Sequence, residues 1–236
     1  MSLDPITYEL KGKTAIVRMD DGKANALSFT MMDAALAALA RAEKEASAVV
    51  LTGRPGRFCA GFDLREMMGG MDRAIALLRR GTEFLLGLYT APLPLVIACN
   101  GHALAGGALT VLTGDVRVGA RGAFRIGLNE VQIGMPVPVL AMELARDRLA
   151  PGALTAATLF ATIYGPDDAK TAGYLDEVAD EGSVLDTALA HAERLGALPR
   201  EPYAKTKNAL REKTVKYIRA TLDEDMARLT VPTPSS

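Results

Sequence analysis

Two periodicities of apolar residues alternate along the chain in short blocks. "TAIVRMD" (Thr14–Asp20) carries β-formers in alternation and predicts a strand. The loop "DGKANAL" follows. Ser28 then stands where it caps a helix running to about Glu45, with Met32, Leu36 and Leu39 on one face. "AVVLTG" (Ala48–Gly53) is short and almost wholly apolar, the signature of a strand buried on both faces. "RPGRFCAGFDLREM" reads as a loop entering a helix near Asp63, its natural N-cap. A longer helix covers about Met71–Tyr89, and the prolines of "APLPLVIACNG" divide it from a buried strand at Leu95–Asn100. In "GHALAGGALTVLTGD" a glycine-rich turn precedes an apolar helix, and "VRVGA" and "AFRIG" read as short strands. Beyond them the pattern is helical: about Val139–Leu149, Gly152–Thr162, Asp167–Ala172, and two further helices from Val184 onward. Strand–helix alternation followed by helices alone predicts an α/β core with a helical C-terminal part. No internal repeat is visible, although a diverged β-β-α unit would escape detection. The closing "VPTPSS" reads as a disordered tail.

With 236 residues the chain suits one α/β domain, or one with a helical appendage. A net charge of −1 provides no field for nucleic acid or an anionic membrane, so neither is expected as a partner. No segment reaches the roughly 18 uninterrupted apolar residues of a membrane helix. "MSLDPITYELKGK" has neither an apolar h-region nor an Arg-rich amphipathic stretch, so no targeting peptide is expected and the location expected is cytoplasmic. Cys59 and Cys99 are too few for a disulfide scaffold and lack metal-ligand spacing; they read as core residues of a reduced protein. With His102 and His191 the only histidines, no metal site is expected. No serine lies in a G-x-S-x-G context, which argues against a Ser-His-Asp triad. Any chemistry then falls to carboxylates and the backbone.

Three segments carry candidates. In "IGLNEVQIGMPVPVL" (Ile126–Leu140) Glu130 is the only charge. It is either a buried carboxyl satisfied by amides or an arginine, or a general base whose pKa an apolar wall raises toward neutrality. Asn129 beside it either meets a ligand or caps a turn. In "FCAGFDLREM" the Ala60-Gly61 pair lets backbone N–H groups turn toward a ligand. In "ALAGGALTVL" Gly106 and Gly107 open a helix whose first N–H groups lack intrahelical partners. One donor from each of these two segments, converging on a carbonyl oxygen, would stabilise an enolate. Glycines that pack helix on strand explain the same spacing equally well. Met67, Met68, Met71 and Met135 suggest an adaptable apolar pocket, or core.

Taken together, "ANALSFTMMDAALAALA", "VVLTGRPGRFCAGFDLREM", "NGHALAGGALTVLTGD" and "DDAKTAGYLDEVAD" resemble, in order and spacing, the crotonase (enoyl-CoA hydratase/isomerase) superfamily. The resemblance covers most of the chain. It implies a spiral of β-β-α units over residues 1–195, followed by a helical C-terminal trimerisation region and tail over 196–236. It also implies a homotrimer or dimer of trimers, acyl-CoA thioester substrates, and no cofactor beyond the coenzyme A that the substrate carries. By resemblance, the amides of Phe62 and Gly106 form the oxyanion hole. Ala60, Gly61, Asp63 and Leu64 lie along the coenzyme A, and Leu109 and Asn129 contact the substrate. Lys205 or Lys207 of "YAKTKNAL" would serve the adenine side. Hydratases of the family carry two glutamates; here the first position is Leu109 and the second is Glu130. "GLNEVQIGMPVP" is similar to the corresponding loop of mitochondrial-type Δ3,Δ2-enoyl-CoA isomerases. Moving a double bond from C3 to C2 needs one proton carrier, whereas hydration normally uses two. A single-glutamate isomerase of fatty-acid oxidation is therefore the expectation. The alternatives are a hydratase or other crotonase-type enzyme drawing a second acid from Glu66 or Glu83, and a catalytically silent acyl-CoA binder.

Overall fold

The computed structural model describes residues 4–228. Its elements begin with β1 (Ile6–Lys11), β2 (Thr14–Met19), α1 (Phe29–Glu45), β3 (Ala48–Thr52) and β4 (Gly56–Cys59). Next come α2 (Leu64–Met67), α3 (Met71–Thr90), β5 (Leu95–Cys99), β6 (Gly101–Leu104), α4 (Gly106–Leu112), β7 (Val116–Ala120) and β8 (Ile126–Gly127). The chain closes through α5 (Val139–Arg148), α6 (Leu154–Thr158), α7 (Pro166–Ala172), β9 (Glu177–Ala179), α8 (Val184–Gly196) and α9 (Arg200–Ala227).

The strands form two sheets. The larger has the order β1-β2-β3-β5-β7-β9, parallel except for the β1/β2 hairpin; the smaller has the order β4-β6-β8 and is wholly parallel. Three successive units, β3-β4-α3, β5-β6-α4 and β7-β8-α5, each give their first strand to the large sheet and their second to the small one. This is the β-β-α spiral that the resemblance implies. Strands β3 and β5 are buried at every position. Because side chains alternate, Val49, Leu51, Leu95 and Ile97 enter the main core with Met31 and Met32 of α1 and Leu77 and Leu85 of α3. Ala48, Val50, Val96 and Ala98 point the other way, onto Val184, Ala188 and Ala192 of α8.

Several expectations change. Strand β1 is exposed over most of its length, so it lacks an apolar face to betray it. The segments read as a loop and a glycine-rich turn contain β4 and β6, each only 4 residues long and opening on a glycine. "AFRIG" contributes only Ile126–Gly127, and the helix at Asp63 is a single turn. The helix expected over Gly152–Thr162 divides into a 3-10 turn at Pro151–Ala153 and α6, which stops short of Ala161, where the backbone is left-handed at φ 49°. The "VPTPSS" segment lies outside the described residues.

Helix α9, with 28 residues, returns along α3 and α5. It is anchored through Asp115, whose carboxylate accepts from Lys207 Nζ and Arg211 at 2.7 Å each and from the Leu95 N–H at 2.8 Å. The Arg211 guanidinium also lies 4.1 Å from the Tyr89 ring centroid.

Candidate active site

Because the small sheet is parallel, its three strands end at one edge, where open α/β sheets place their ligands. Strand β4 delivers Ala60–Asp63 there, β6 delivers Ala105 and Gly106, and β8 delivers Leu128–Glu130.

The first loop is zipped to the segment after β2. Leu27 N–H donates to the Gly61 carbonyl at 2.8 Å, Asp63 N–H to the Leu27 carbonyl at 3.2 Å, and Ala60 N–H to the Ala24 carbonyl at 3.0 Å. In this parallel bridge between Leu27 and Phe62, the residues flanking Phe62 make both bonds. The Phe62 N–H thereby points away from Leu27 and has no acceptor among the described residues. Asn25 fixes the arrangement from beneath. Fully buried and left-handed at φ 54°, it donates through Nδ2 to the carbonyls of Met19, Arg57 and Phe58 and accepts the Asp21 N–H. Nothing in the periodicity singled out Asn25; its neighbour Gly22 and the "DGKAN" turn composition were the only local signals.

The second loop turns at Ala105 (φ 47°, ψ −121°), a conformation costly for any residue with a Cβ, and α4 begins at once. The Gly106 N–H is therefore an orphan of the helix start and also lacks an acceptor. The two loops touch. A Cβ on Gly106 would stand 3.1 Å from the Phe62 ring, and one on Gly107 would stand 2.1 Å from the Cys59 carbonyl oxygen, where no side chain fits.

Glu130 lies between β8 and a 3-10 turn at Val131–Ile133 and is only 6% exposed. Its carbonyl accepts the N–H groups of Ile133 and Met135, and among the described residues its Oε2 has no partner and no cation approaches it. Burial in these apolar surroundings pushes its pKa up to about 7. Asn129 Oδ1 is likewise buried and unpartnered. Buried polar atoms are ordinarily satisfied, so two adjacent exceptions at a cavity mark a place for a ligand.

That cavity has a volume of about 410 Å³. Ala60, Phe62, Leu64, Leu109, Asn129 and Glu130 all line it, so six of the nine site residues expected from sequence come together. Gly61 and Gly106 are not among its lining residues; they meet where the two loops touch, a Cβ on Gly61 standing 3.4 Å from the Gly106 nitrogen. Asp63 stays outside the lining and caps α2, accepting from the Arg65 and Glu66 N–H groups. Met67, Met68 and Met135 reach the wall; Met71 does not. Glu66 is paired with Arg73 and Glu83 with Arg80, and neither lines the cavity. Lys207 is buried against Asp115 and the Leu93 carbonyl, and Lys205 pairs with Glu201 at the surface; neither lines the Glu130 cavity. An acid that sequence reasoning missed, Asp225 of α9, does line it.

The spiral of β-β-α units, with Phe62 and the buried Glu130 on one cavity at the ends of the small sheet, is the architecture of a crotonase-type protein. Comparison with known proteins agrees: the chain matches the enoyl-CoA hydratase/isomerase family over residues 9–233 and belongs to it. It is 32% identical to the human mitochondrial enoyl-CoA delta isomerase 1 over 90% of this chain and 72% of the human protein. It is also 32% identical to a probable enoyl-CoA hydratase of Rhodobacter capsulatus, over 89% and 82% of the two chains. The solved structure of an enoyl-CoA hydratase/isomerase family protein from a Pseudomonas syringae source superposes with a TM-score of 0.94 at 36% identity, covering 96% of this chain and 99% of that one. Among the described residues no helix is long and apolar enough to cross a membrane.

Proposed function

We propose that this chain isomerises 3-enoyl-CoA to trans-2-enoyl-CoA with Glu130 as the sole proton carrier. The observation that carries this reading is the unpaired Oε2 of Glu130 in an apolar cavity whose other candidate acid position is Leu109. The ionised carboxylate takes a proton from C2, and the electrons pass onto the thioester oxygen. The resulting dienolate is held by the Phe62 and Gly106 N–H groups. Glu130 then returns the proton at C4, leaving the double bond conjugated with the thioester. Leu109 neither gives nor takes a proton and helps keep water from the dienolate. Ala60, Gly61 and Leu64 run along the coenzyme A together with the backbone of Asp63, whose carboxylate stays on the α2 cap; Asn129 meets the substrate through its unpaired oxygen, and no further cofactor takes part.

The test is to incubate the pure protein separately with a 3-enoyl-CoA and a trans-2-enoyl-CoA. Formation of the conjugated thioester from the first, with negligible hydration of the second, is expected. Robust hydration overturns the isomerase reading, and binding without either reaction favours a silent binder. We further propose assembly as a homotrimer or a dimer of trimers. Leu159 and Phe160, 64% and 67% exposed, supply apolar surface for such contacts to cover. A mass measurement in solution giving one chain alone would rule this out.

A further inference from the structure

The second carboxyl on the cavity has no part in the chemistry above. Asp225 comes from the last turn of α9 and shares its wall with Leu78 and Thr82 of α3, with Leu140 of α5, and with Pro138 just before it. Its Oδ2 accepts the N–H of Val139, the first residue of α5, at 2.9 Å. Its Oδ1 has no partner among the described residues. The Thr82 hydroxyl is spent as a donor on the Leu78 carbonyl at 3.0 Å, so it too offers this wall only acceptor capacity. Thus this side of the cavity presents Asp225 Oδ1 and the Thr82 oxygen as acceptors, with no side-chain donor among the residues that line it there, the Arg228 charge acting on Asp225 from outside the lining. That side is built by helices, while the two amides and Glu130 stand at strand ends. On the reading proposed above, the thioester carbonyl sits at the amides and the coenzyme A runs along Ala60–Leu64. The acyl chain then extends toward the helix wall.

We infer that Asp225 is a specificity-determining residue, which disfavours a plain alkyl chain long enough to reach α9 and favours acyl groups that stop short of it. A methylene chain laid over Oδ1 removes the water from a half-buried carboxylate and supplies no hydrogen bond in exchange. The affinity that each added methylene normally brings is thereby cancelled at this point of the cavity. This inference rests on the acyl-CoA reading of the site but not on the isomerase chemistry.

Binding of two saturated thioesters, hexanoyl-CoA and dodecanoyl-CoA, tests it by calorimetry without any turnover. For the wild-type protein the longer chain should bind no more than about tenfold tighter, far below what six buried methylenes bring elsewhere. In Asp225→Leu the preference for dodecanoyl-CoA should rise at least about tenfold further, and in Asp225→Asn by about threefold. The asparagine keeps an acceptor for the Val139 N–H, so it decides the matter if the leucine variant loosens α9. An unchanged chain-length ratio in both variants overturns the inference, as does an equal loss of affinity for both ligands, which marks a purely structural residue. Failure of the wild type to bind either thioester overturns the acyl-CoA reading itself, whereas binding without isomerase turnover leaves this inference standing.

Discussion

Glu130 is a carboxyl whose fold keeps it short of partners. Burial raises its pKa from the ordinary 4.5 to about 7, so it changes charge in the range where a base must both take and return a proton. On the proposed role of Glu130 as base, its ionised form does the work, so kcat/KM for a 3-enoyl-CoA should rise with pH through about 7 and level off above it; a flat profile from pH 5 to 9 would exclude Glu130 as the base. Glu130→Gln should lower kcat by at least about 10²-fold while acyl-CoA binding survives. The same shift has a consequence for stability. The folded chain holds this proton more tightly than the unfolded one, so stability falls as pH rises from about 4.5 through about 7. Glu130→Gln escapes that loss. It should be more stable than the wild type at pH 8, by up to about 3 kcal/mol, with the gap closing below pH 5 in denaturant titrations. A variant less stable at pH 8 would show that Glu130 has a native partner. This residue was legible in the sequence because a lone charge in an apolar run stands out. Asp225 was not, since it lies in the highly charged run "LDEDMAR" and owes its place to where α9 ends.

At the level of elements, the site depends on three strands too short to read. Strands β4, β6 and β8 have 4, 4 and 2 residues, and their pairing rather than their composition makes them strands. Periodicity needs more residues than that to rise above chance. Helix α4 must also approach the first loop closely enough to bring two amides together, and Gly107 permits this by lying against the Cys59 carbonyl. Gly107→Ala forces backbone atoms apart, because the clash is with a carbonyl and not with a flexible side chain. We expect a loss of about 2 kcal/mol or more in urea unfolding and at least about tenfold in kcat. A stable alanine variant of normal activity would mean that the two amides need no such approach. The glycine pair was visible in the sequence, but spacing alone did not separate a packing role from a site role. The structure shows that Gly107 packs directly on the Cys59 carbonyl, where β4 leads into the first loop.

Over the whole molecule, α9 ties the far end of the chain to its middle. Lys207 and Arg211 hold Asp115, which stands just before β7, and 14 residues beyond Arg211, about 21 Å along the helix, Asp225 reaches the cavity. Burial pulls the Lys207 pKa down to about 8, so its charge leans on the Asp115 carboxylate. Asp115→Ala leaves two buried cations without their anion and should cost about 3–5 kcal/mol. Hydrogen exchange should then quicken first in α9, and long-chain and short-chain ligands should both bind more weakly as the wall loosens. If α9 exchanges no faster than in the wild type, the anchor lies elsewhere.

By itself the sequence determined the α/β class, the order of the main elements and three candidate segments for a site, because these depend on local periodicity, turn residues and one isolated charge; the spiral of β-β-α units came from the resemblance of its motifs. Only the tertiary structure decided which polar groups face each other and which are already committed. Asp63 is spent on a helix end, Lys207 on a buried carboxylate, and the Phe62 amide is left open by the bonds of its neighbours. Such commitments arise between residues far apart in the chain, where pairing geometry settles what no local pattern records.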